Sequence, residues 1–197
     1  MKEFNISEKI FLNQSNRVVW DTISLKNGLE FFHPFCLKNK EIRGNKKSDE
    51  LVYLNGLTYI REFTSWKPNQ GFELTIGSKN GKKSKVQWQL QSSGMGCELK
   101  ISVFPYKSSK ISKFLYPFVN FFIIKPRLKK YLQSVLKGLK YFLDHKQKVK
   151  KINLGNTLGF HDIHFFQKIG RCSCRVAALL CIFKSLTVIL PNQCNIL

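Results

Sequence analysis

Acidic residues are scarce in this chain. It has 12 Asp and Glu against 33 Lys and Arg, which gives a net charge of +21 over 197 residues. The excess is uneven, because residues 110–151 carry 12 Lys and Arg against Asp144 alone, a net charge of +11. Such a surface attracts polyanions, either nucleic acid or anionic lipid. A solvated lysine-rich face that only keeps the protein soluble would have the same composition.

Short motifs that mark several enzyme classes are also missing. The sequence has no Gly-rich phosphate loop, no H-E-x-x-H and no G-x-S-x-G. Among its six cysteines, Cys172 and Cys174 form C-x-C, which is not the spacing of a zinc or thioredoxin-like pair, even with His161 and His164 upstream. We therefore expect no metal and no cofactor. Nucleic acid is not an expected partner, because no basic motif is interleaved with exposed aromatic residues.

Long apolar runs are absent as well. The apolar stretches 111–124 and Val176–Leu190 are both shorter than the roughly 20 residues of a membrane span. The N-terminus opens with Lys2 and Glu3 and has no apolar leader. We expect a cytoplasmic protein, with a peripheral location on a membrane as the alternative.

What the sequence does have is apolar content of 43%, including 17 Phe, which is enough for a sizeable core. Residues 2–12 read as a strand, and two short helices follow, the first around Trp20 and the second around Phe32. A long amphipathic helix runs from about Pro126 to Gln147, with its apolar positions at helical spacing. Residues 1–151 form the predicted domain. Residues 152–197 are a C-terminal extension of different composition.

Between the short helices and the long helix, the chain shows strands of alternating polarity. In the clearest of them, Phe72, Leu74 and Ile76 alternate with polar residues, and a Val86–Leu90 strand follows the same rule. Asn55-Gly56 and Asn80-Gly81 are hairpin signals. Hairpins in succession predict an antiparallel meander with one covered face. The fold class is thus α+β, an antiparallel sheet with a long C-terminal helix laid across it.

This order resembles the polyketide cyclase/dehydrase branch of the START/Bet v 1-like (SRPBCC) superfamily, over roughly residues 2–151. The segments that carry the resemblance are Val19-Trp20-Asp21-Thr22-Ile23-Ser24, His33-Pro34-Phe35-Cys36, Tyr53-Leu54-Asn55-Gly56-Leu57, Arg61-Glu62-Phe63-Thr64-Ser65-Trp66, Leu74-Thr75-Ile76-Gly77, and Pro126 through Gly138. The family pattern ends soon after the long helix, and this chain departs from it after Lys150-Lys151.

The resemblance implies a helix-grip fold, in which the sheet wraps around the long C-terminal helix and leaves a hollow between them. Superfamily members bind lipids, sterols, hormones, quinones or polyketide intermediates, and a few are enzymes, so the fold alone does not decide the function. We expect a binding or carrier domain for a hydrophobic small molecule. The alternatives are an enzyme of cyclase, dehydratase or isomerase type that uses His33 as acid or base, and a peripheral binder of anionic membrane through the Lys and Arg of residues 110–151.

The inward face of the predicted sheet and the facing helices supply the expected ligand contacts. A filled aromatic core is the alternative for the same residues. They are Trp20, Phe32, His33, Tyr59, Arg61, Phe63, Phe72, Leu74, Ile76, Val86, Trp88, Leu90, Ile101, Val103, Tyr131 and Val135.

Two polar members of this set are candidates for specific roles. Arg61 shares the parity of Tyr59 and would need an anion if it points inward, either a buried carboxylate or an acidic ligand group. Alternatively it points outward and pairs with Glu73. His33 is the only candidate for catalysis, or else it is a structural histidine at a helix end. Cys36 lies close by, but no feature of the sequence indicates an activated thiolate.

Overall fold

The structure, a computed structural model, describes residues 4–42, 45–106, 114 and 116–151. The predicted extension, residues 152–197, lies outside the described residues, as do His161, His164, Cys172 and Cys174. The elements in chain order are β1 (Ile6–Leu12), α1 (Asn16–Ile23), α2 (Leu29–Phe32), β2 (Cys36–Ile42), β3 (Asn45–Tyr53), β4 (Thr58–Lys67), β5 (Gly71–Gly77), β6 (Ser84–Ser93), β7 (Gly96–Phe104), α3 (Tyr116–Val119), a π-helical turn (Asn120–Ile124) and α4 (Lys125–His145).

The seven strands form one antiparallel sheet in the order β1-β7-β6-β5-β4-β3-β2. Strands β2 to β7 follow one another as a meander, and β1 pairs with β7 in continuous register from Ile6 opposite Val103 to Leu12 opposite Cys97. One face of the sheet is buried, as the alternating polarity requires. The predicted α+β class and antiparallel meander are confirmed.

Helices α1 and α2 connect β1 to β2 and lie on the buried face. Ser15 caps α1 and accepts a bond from the Val18 amide, which satisfies one of the free N–H groups of the first turn. Val19, Trp20 and Ile23 are its buried stripe. Asn27, with φ of 57°, separates the two helices in a left-handed conformation that asparagine tolerates.

Helix α4 has 21 residues and packs across β1 and α2. Its buried stripe is Leu132, Val135, Leu136, Leu139 and Leu143, with lysines on the opposite face. Gly138 lies in this stripe where α4 crosses α2, and a Cβ there would meet the Phe32 carbonyl oxygen. No helix among the described residues is long and apolar enough to cross a membrane.

The turns differ from the predictions in detail. The Asn55-Gly56 signal does mark the β3–β4 hairpin, but four residues, 54–57, separate the two strands instead of two. The Gly56 amide bonds to the Tyr53 carbonyl, and Gly56 itself adopts φ of 82°. The Asn80-Gly81 signal lies in a longer loop between β5 and β6. The polar residues 44–48 predict a turn that leads into a strand from Glu50, whereas β3 already begins at Asn45.

Candidate functional site

The connection from α2 to β2 places His33 inside the grip. His33 ends α2 in extended backbone conformation, with its N–H bonded to the Leu29 carbonyl at 2.9 Å, and Pro34 prevents the helix from continuing. The side chain is 3% exposed. Its Nδ1 accepts a bond from the Phe35 backbone N–H at 3.3 Å. Because Nδ1 is an acceptor, the ring proton resides on Nε2.

That proton begins a chain of hydrogen bonds across three elements. His33 Nε2 donates to the Tyr131 hydroxyl of α4 at 2.8 Å. The Tyr131 hydroxyl in turn lies 3.1 Å from the Tyr53 hydroxyl at the end of β3, and either hydroxyl can be the donor. The Tyr131 ring stacks on Phe35 with centroids 5.3 Å apart. These hydrogen bonds join α4 to β3, next to the edge strand β2, and orient the Tyr131 side chain, which is only partly buried.

Burial keeps the imidazole neutral. Loss of solvent, followed by the nearby positive charges of Arg61 and Lys151, lowers the pKa of His33 from 6.5 to about 3. Burial also raises the pKa of Tyr53 and Tyr131 well above the ordinary range. At neutral pH the three hydrogen-bonded side chains His33, Tyr131 and Tyr53 are therefore uncharged. They can offer hydrogen bonds, but none of them is a ready proton acceptor.

Arg61 faces inward and is paired with a buried carboxylate. Asp49 lies directly opposite it in the β3–β4 register. Arg61 Nε bonds to Asp49 Oδ1 at 2.7 Å and Arg61 Nη2 to Oδ2 at 2.5 Å, and both side chains are largely buried. The guanidinium also lies 5.3 Å from the centroid of the Phe63 ring. Asp49 is thus the anion that an inward arginine requires.

The alternative prediction for Arg61, an outward position paired with Glu73, is wrong. Glu73 points to the other face of the sheet, where Lys85 Nζ lies 2.8 Å and Gln87 Nε2 lies 2.6 Å from its carboxylate. The sequence reading missed Asp49 because it placed residues 44–48 in a turn and began the strand at Glu50. The period-two pattern Asp49, Leu51, Tyr53 was the available signal.

Cys36 is a buried thiol beside this chain. Its β-strand partner is Tyr53, and it is fully buried. Desolvation raises its pKa to about 11, so the thiol keeps its proton at neutral pH and is not activated. Among the described residues, no three His, Cys, Asp or Glu side chains come together in a way that could hold a metal ion.

Five of the remaining predicted contacts form, together with Trp66, a separate aromatic cluster beneath α1 and α2. Neighbouring rings in it have centroids 5.2 to 6.5 Å apart. Its members are Trp20, Phe32, Phe63, Trp66, Phe72 and Trp88. This part of the grip is packed by its own side chains, as the filled-core alternative anticipated.

The other predicted contacts line the inward face around these two groups. Leu74, Leu90 and Ile101 are buried in the centre of the sheet. The other members are Tyr59 and Ile76, beside Arg61 in the sheet, Val86 and Val103 on β6 and β7, and Val135, one turn after Tyr131 on α4. Tyr59 lies next to Tyr53, with ring centroids 5.6 Å apart. The predicted residues therefore divide between a packed cluster and a polar end at Tyr131.

Trp66 belongs to the aromatic cluster although strict alternation along β4 would turn it outward. The register shifts between Phe63 and Ser65, so that Phe63 pairs with Leu74 and Trp66 pairs with Phe72, both on the inward face. This extra residue turns the side chains that follow it to the opposite face of the sheet. The alternation in the sequence does not reveal this change.

Comparisons with known proteins support the fold. No protein-family model matches the sequence, and no curated protein is similar to it. The protein SA2116 from Staphylococcus aureus is similar with a TM-score of 0.59, over 74% of this chain and 96% of its own, at 13% identity. Ara h 8.0201 has a TM-score of 0.51 over 72% of this chain and 98% of its own, at 14% identity.

A third similar structure is DynU16, a protein in the dynemicin biosynthetic locus. Its TM-score is 0.56 over 75% of this chain and 49% of its own, at 12% identity. At such identities the likeness establishes the fold and no activity. The fold is the Bet v 1-like helix-grip fold, in which an antiparallel sheet faces one long C-terminal helix.

Proposed function

We propose that this protein binds a hydrophobic small molecule between the sheet and α4, as the resemblance to the polyketide cyclase/dehydrase branch of the SRPBCC superfamily implies. The observation that supports this proposal is the uncharged hydrogen-bonded chain His33–Tyr131–Tyr53, which lies among apolar side chains beside the Arg61–Asp49 pair. A few placed polar groups among apolar side chains are the usual composition of a small-molecule site. A lipid, a quinone or a polyketide-like compound combines the matching apolar body with one or two oxygens.

The ligand is proposed to lie at the Tyr131 end of the grip. The aromatic cluster under α1 is already packed ring against ring, whereas Tyr131 is partly exposed and has its hydroxyl fixed by His33. A carbonyl or hydroxyl oxygen of the ligand would accept the Tyr131 proton, with Tyr53 then donating to Tyr131. Its apolar body would lie against Tyr59, Ile76 and Val135. Burial of apolar area would supply most of the affinity, at roughly 25 cal/mol per Å² before the cost of association.

The enzymatic alternative receives less support. A general base or acid works best with a pKa near the working pH, whereas the pKa of His33 is about 3. Its ring nitrogens are also both engaged, one by the Phe35 amide and one by Tyr131. In this arrangement His33 orients Tyr131 and does not exchange protons with a substrate.

The proposal is tested by comparing Tyr131→Phe with Tyr141→Phe in the full chain. Both tyrosines lie on α4, but Tyr141 is exposed and its hydroxyl bonds only locally, to Gln147 among the described residues. Binding is measured by quenching of tryptophan fluorescence with a ubiquinone-like quinone and with a hydrocarbon of similar size. Tyr131→Phe should weaken quinone binding about fivefold to tenfold and leave hydrocarbon binding unchanged. Equal effects of the two variants, or no binding of either probe, would contradict the proposal.

A peripheral contact with anionic membrane on the cytoplasmic side is a second proposal. The supporting observation is that Lys129, Lys130 and Lys137 are exposed on α4, while Asp144, the one acidic residue of the helix, is engaged by Gln14 and Lys140. Each such lysine contributes roughly 1 kcal/mol near an anionic surface.

A further inference from the structure

An exposed aromatic patch precedes α4. It consists of Phe118 at the end of α3 and Phe121 and Phe122 in the π-helical turn, with exposed fractions of 44%, 59% and 53%. The Phe118 and Phe122 ring centroids are 4.5 Å apart, and those of Phe121 and Phe122 are 5.0 Å apart. Scattered exposed apolar residues are normal, but three exposed rings connected through Phe122 form a continuous patch of the kind that marks an interaction site.

The backbone presents these rings on one side. The π-helical turn is closed by the Lys125 N–H, which bonds to the Asn120 carbonyl five residues back, and α4 continues without a break from there. Val119 and Asn120 are buried on the other side of the same turn. A π-helical turn is uncommon and is frequent at functional sites. Here it projects Phe121 and Phe122 together, away from the core.

Positive charge surrounds the patch. Lys125 Nζ lies 5.4 Å from the Phe121 ring centroid, and the exposed Lys129 and Lys130 follow one turn later. Lys129 is 3.6 Å from Glu8 of β1, and no acidic residue occurs in the sequence between Glu98 and Asp144. Exposed rings flanked by lysines match the interface of an anionic bilayer, where rings enter the boundary between headgroups and acyl chains and lysines meet phosphates.

The same charge disfavours two other occupants. A second copy of the chain would bring its own Lys125, Lys129 and Lys130 against those of the first, and like charges facing each other are destabilising. The C-terminal residues 152–197 carry 4 Lys and Arg against Asp162 alone, so they are positive too.

We propose that Phe118, Phe121 and Phe122 insert into the interfacial layer of an anionic membrane while Lys125, Lys129 and Lys130 bind its phosphates. This proposal rests on the proposed membrane contact. It deepens that contact, because an inserted aromatic element replaces adsorption by charge alone. Insertion predicts that binding persists in part at high salt, whereas adsorption by charge is lost.

The test is co-sedimentation of the full chain with vesicles of phosphatidylcholine plus phosphatidylserine and with vesicles of phosphatidylcholine alone. The variant Phe121→Ser/Phe122→Ser is compared with Phe11→Ser/Leu37→Ser, a control pair of exposed apolar residues on β1 and β2. The patch variant should bind the anionic vesicles about tenfold more weakly or worse, and the control should bind as the wild type does. Circular dichroism checks that both variants are folded.

Phe122→Trp gives an independent readout of depth. Its added fluorescence, taken as the difference from wild type, should be quenched by lipids brominated in the acyl chains. If the wild type binds anionic vesicles but the patch variant binds equally well, insertion is wrong and contact by charge survives. If the wild type binds neither vesicle, insertion and the proposed membrane contact both fail. If the patch variant instead abolishes self-association, the patch is a contact between copies.

Discussion

The imidazole of His33 is 3% exposed, and its pKa of about 3 in the folded protein compares with 6.5 when it is unperturbed. The unfolded chain therefore binds a proton that the folded protein does not, in the range between these two values. The stability that comes from the neutral imidazole is fully present above about pH 6.5 and is lost as the pH falls toward about 3.

Between about pH 7 and pH 5, this one group should lower the free energy of unfolding by about 2 kcal/mol. Urea unfolding at several pH values measures the effect. His33→Gln, which can still donate to Tyr131, should remove this part of the pH dependence, whereas His145→Gln, on the exposed end of α4, should keep it. A slope that survives in His33→Gln would contradict the buried neutral state.

Substitution of Arg61 alone should destabilise the protein more than substitution of Arg61 and Asp49 together. Arg61→Met leaves a buried carboxylate without its partner and should cost about 3 to 5 kcal/mol of unfolding free energy. Arg61→Met/Asp49→Leu removes both charges and should cost clearly less. Lys83→Met, at the more exposed pair with Glu62, should cost less than about 1 kcal/mol. Chemical denaturation of the wild type, Arg61→Met, Asp49→Leu and the double variant gives the coupling energy, and a double cost equal to the sum of the two single costs would contradict the pairing.

The sequence indicated single residues of interest but not the side chains that they contact. His33 and Arg61 stood out because a polar side chain in an apolar pattern needs a reason. Tyr131 is 98 residues from His33, and no local pattern encodes such a contact. Asp49 fits the alternating pattern of β3, but the polar residues 44–48 favour a turn, so the sequence predicts a strand that begins after Asp49.

At the scale of elements, the packing of α4 against α2 depends on Gly138. A Cβ at this position would meet the Phe32 carbonyl oxygen and lie 3.2 Å from Pro34 Cδ. Backbone cannot yield as a flexible side chain does, so the helices would have to separate. Gly138→Ala should therefore destabilise the fold by about 1 to 3 kcal/mol, although alanine favours a helix by about 1 kcal/mol over glycine.

Thermal unfolding with circular dichroism checks this prediction. Lys137→Ala is the matched control, because it adds helix propensity at the neighbouring exposed position without touching α2. A rise in stability for Gly138→Ala would show that the two helices are not in tight contact.

Elements were predictable where one physical rule dominates. Strands β5, β6 and β7 follow clean alternation, and α4 follows helical spacing, so their existence and order could be derived from the sequence. The register shift after Phe63 could not, because one extra residue changes no composition and is selected by packing of Trp66 on Phe72.

At the scale of the whole molecule, the chain after α4 returns to α2. The Val149 N–H bonds to the Phe31 carbonyl at 2.8 Å, and Lys151 Nζ bonds to the carbonyl oxygens of Glu30 at 2.9 Å and His33 at 3.3 Å. Positive charge at the C-terminal end of a helix is stabilising. These contacts tie residues 146–151 to the domain that the sequence predicted to extend to residue 151.

A chain ending after Lys151 should therefore unfold like the full chain, whereas a chain ending after His145 should lose about 2 kcal/mol. Urea unfolding of the three lengths measures this. Lys151→Ala in the full chain should lose about half as much unfolding free energy as the chain that ends after His145. This variant separates the contribution of the Lys151 hydrogen bonds from that of chain length. A fragment 1–151 that fails to fold would contradict the predicted domain boundary.

The overall fold was predictable because topology follows from the order of hairpins and one long helix. The proposed site follows from the sequence only as a location, since the inward face holds both a packed aromatic cluster and the polar end at Tyr131. Which of these accepts a ligand depends on how tightly the rings pack, and composition does not determine packing.

The most direct test of the proposed function is native mass spectrometry of the full chain purified from cells, followed by extraction and identification of any bound compound. The proposal predicts an added mass from an oxygen-bearing apolar molecule that is lost or much reduced in Tyr131→Phe and retained in Tyr141→Phe. A bare protein mass that stays bare after incubation with lipids, quinones and aromatic polyketides would contradict it.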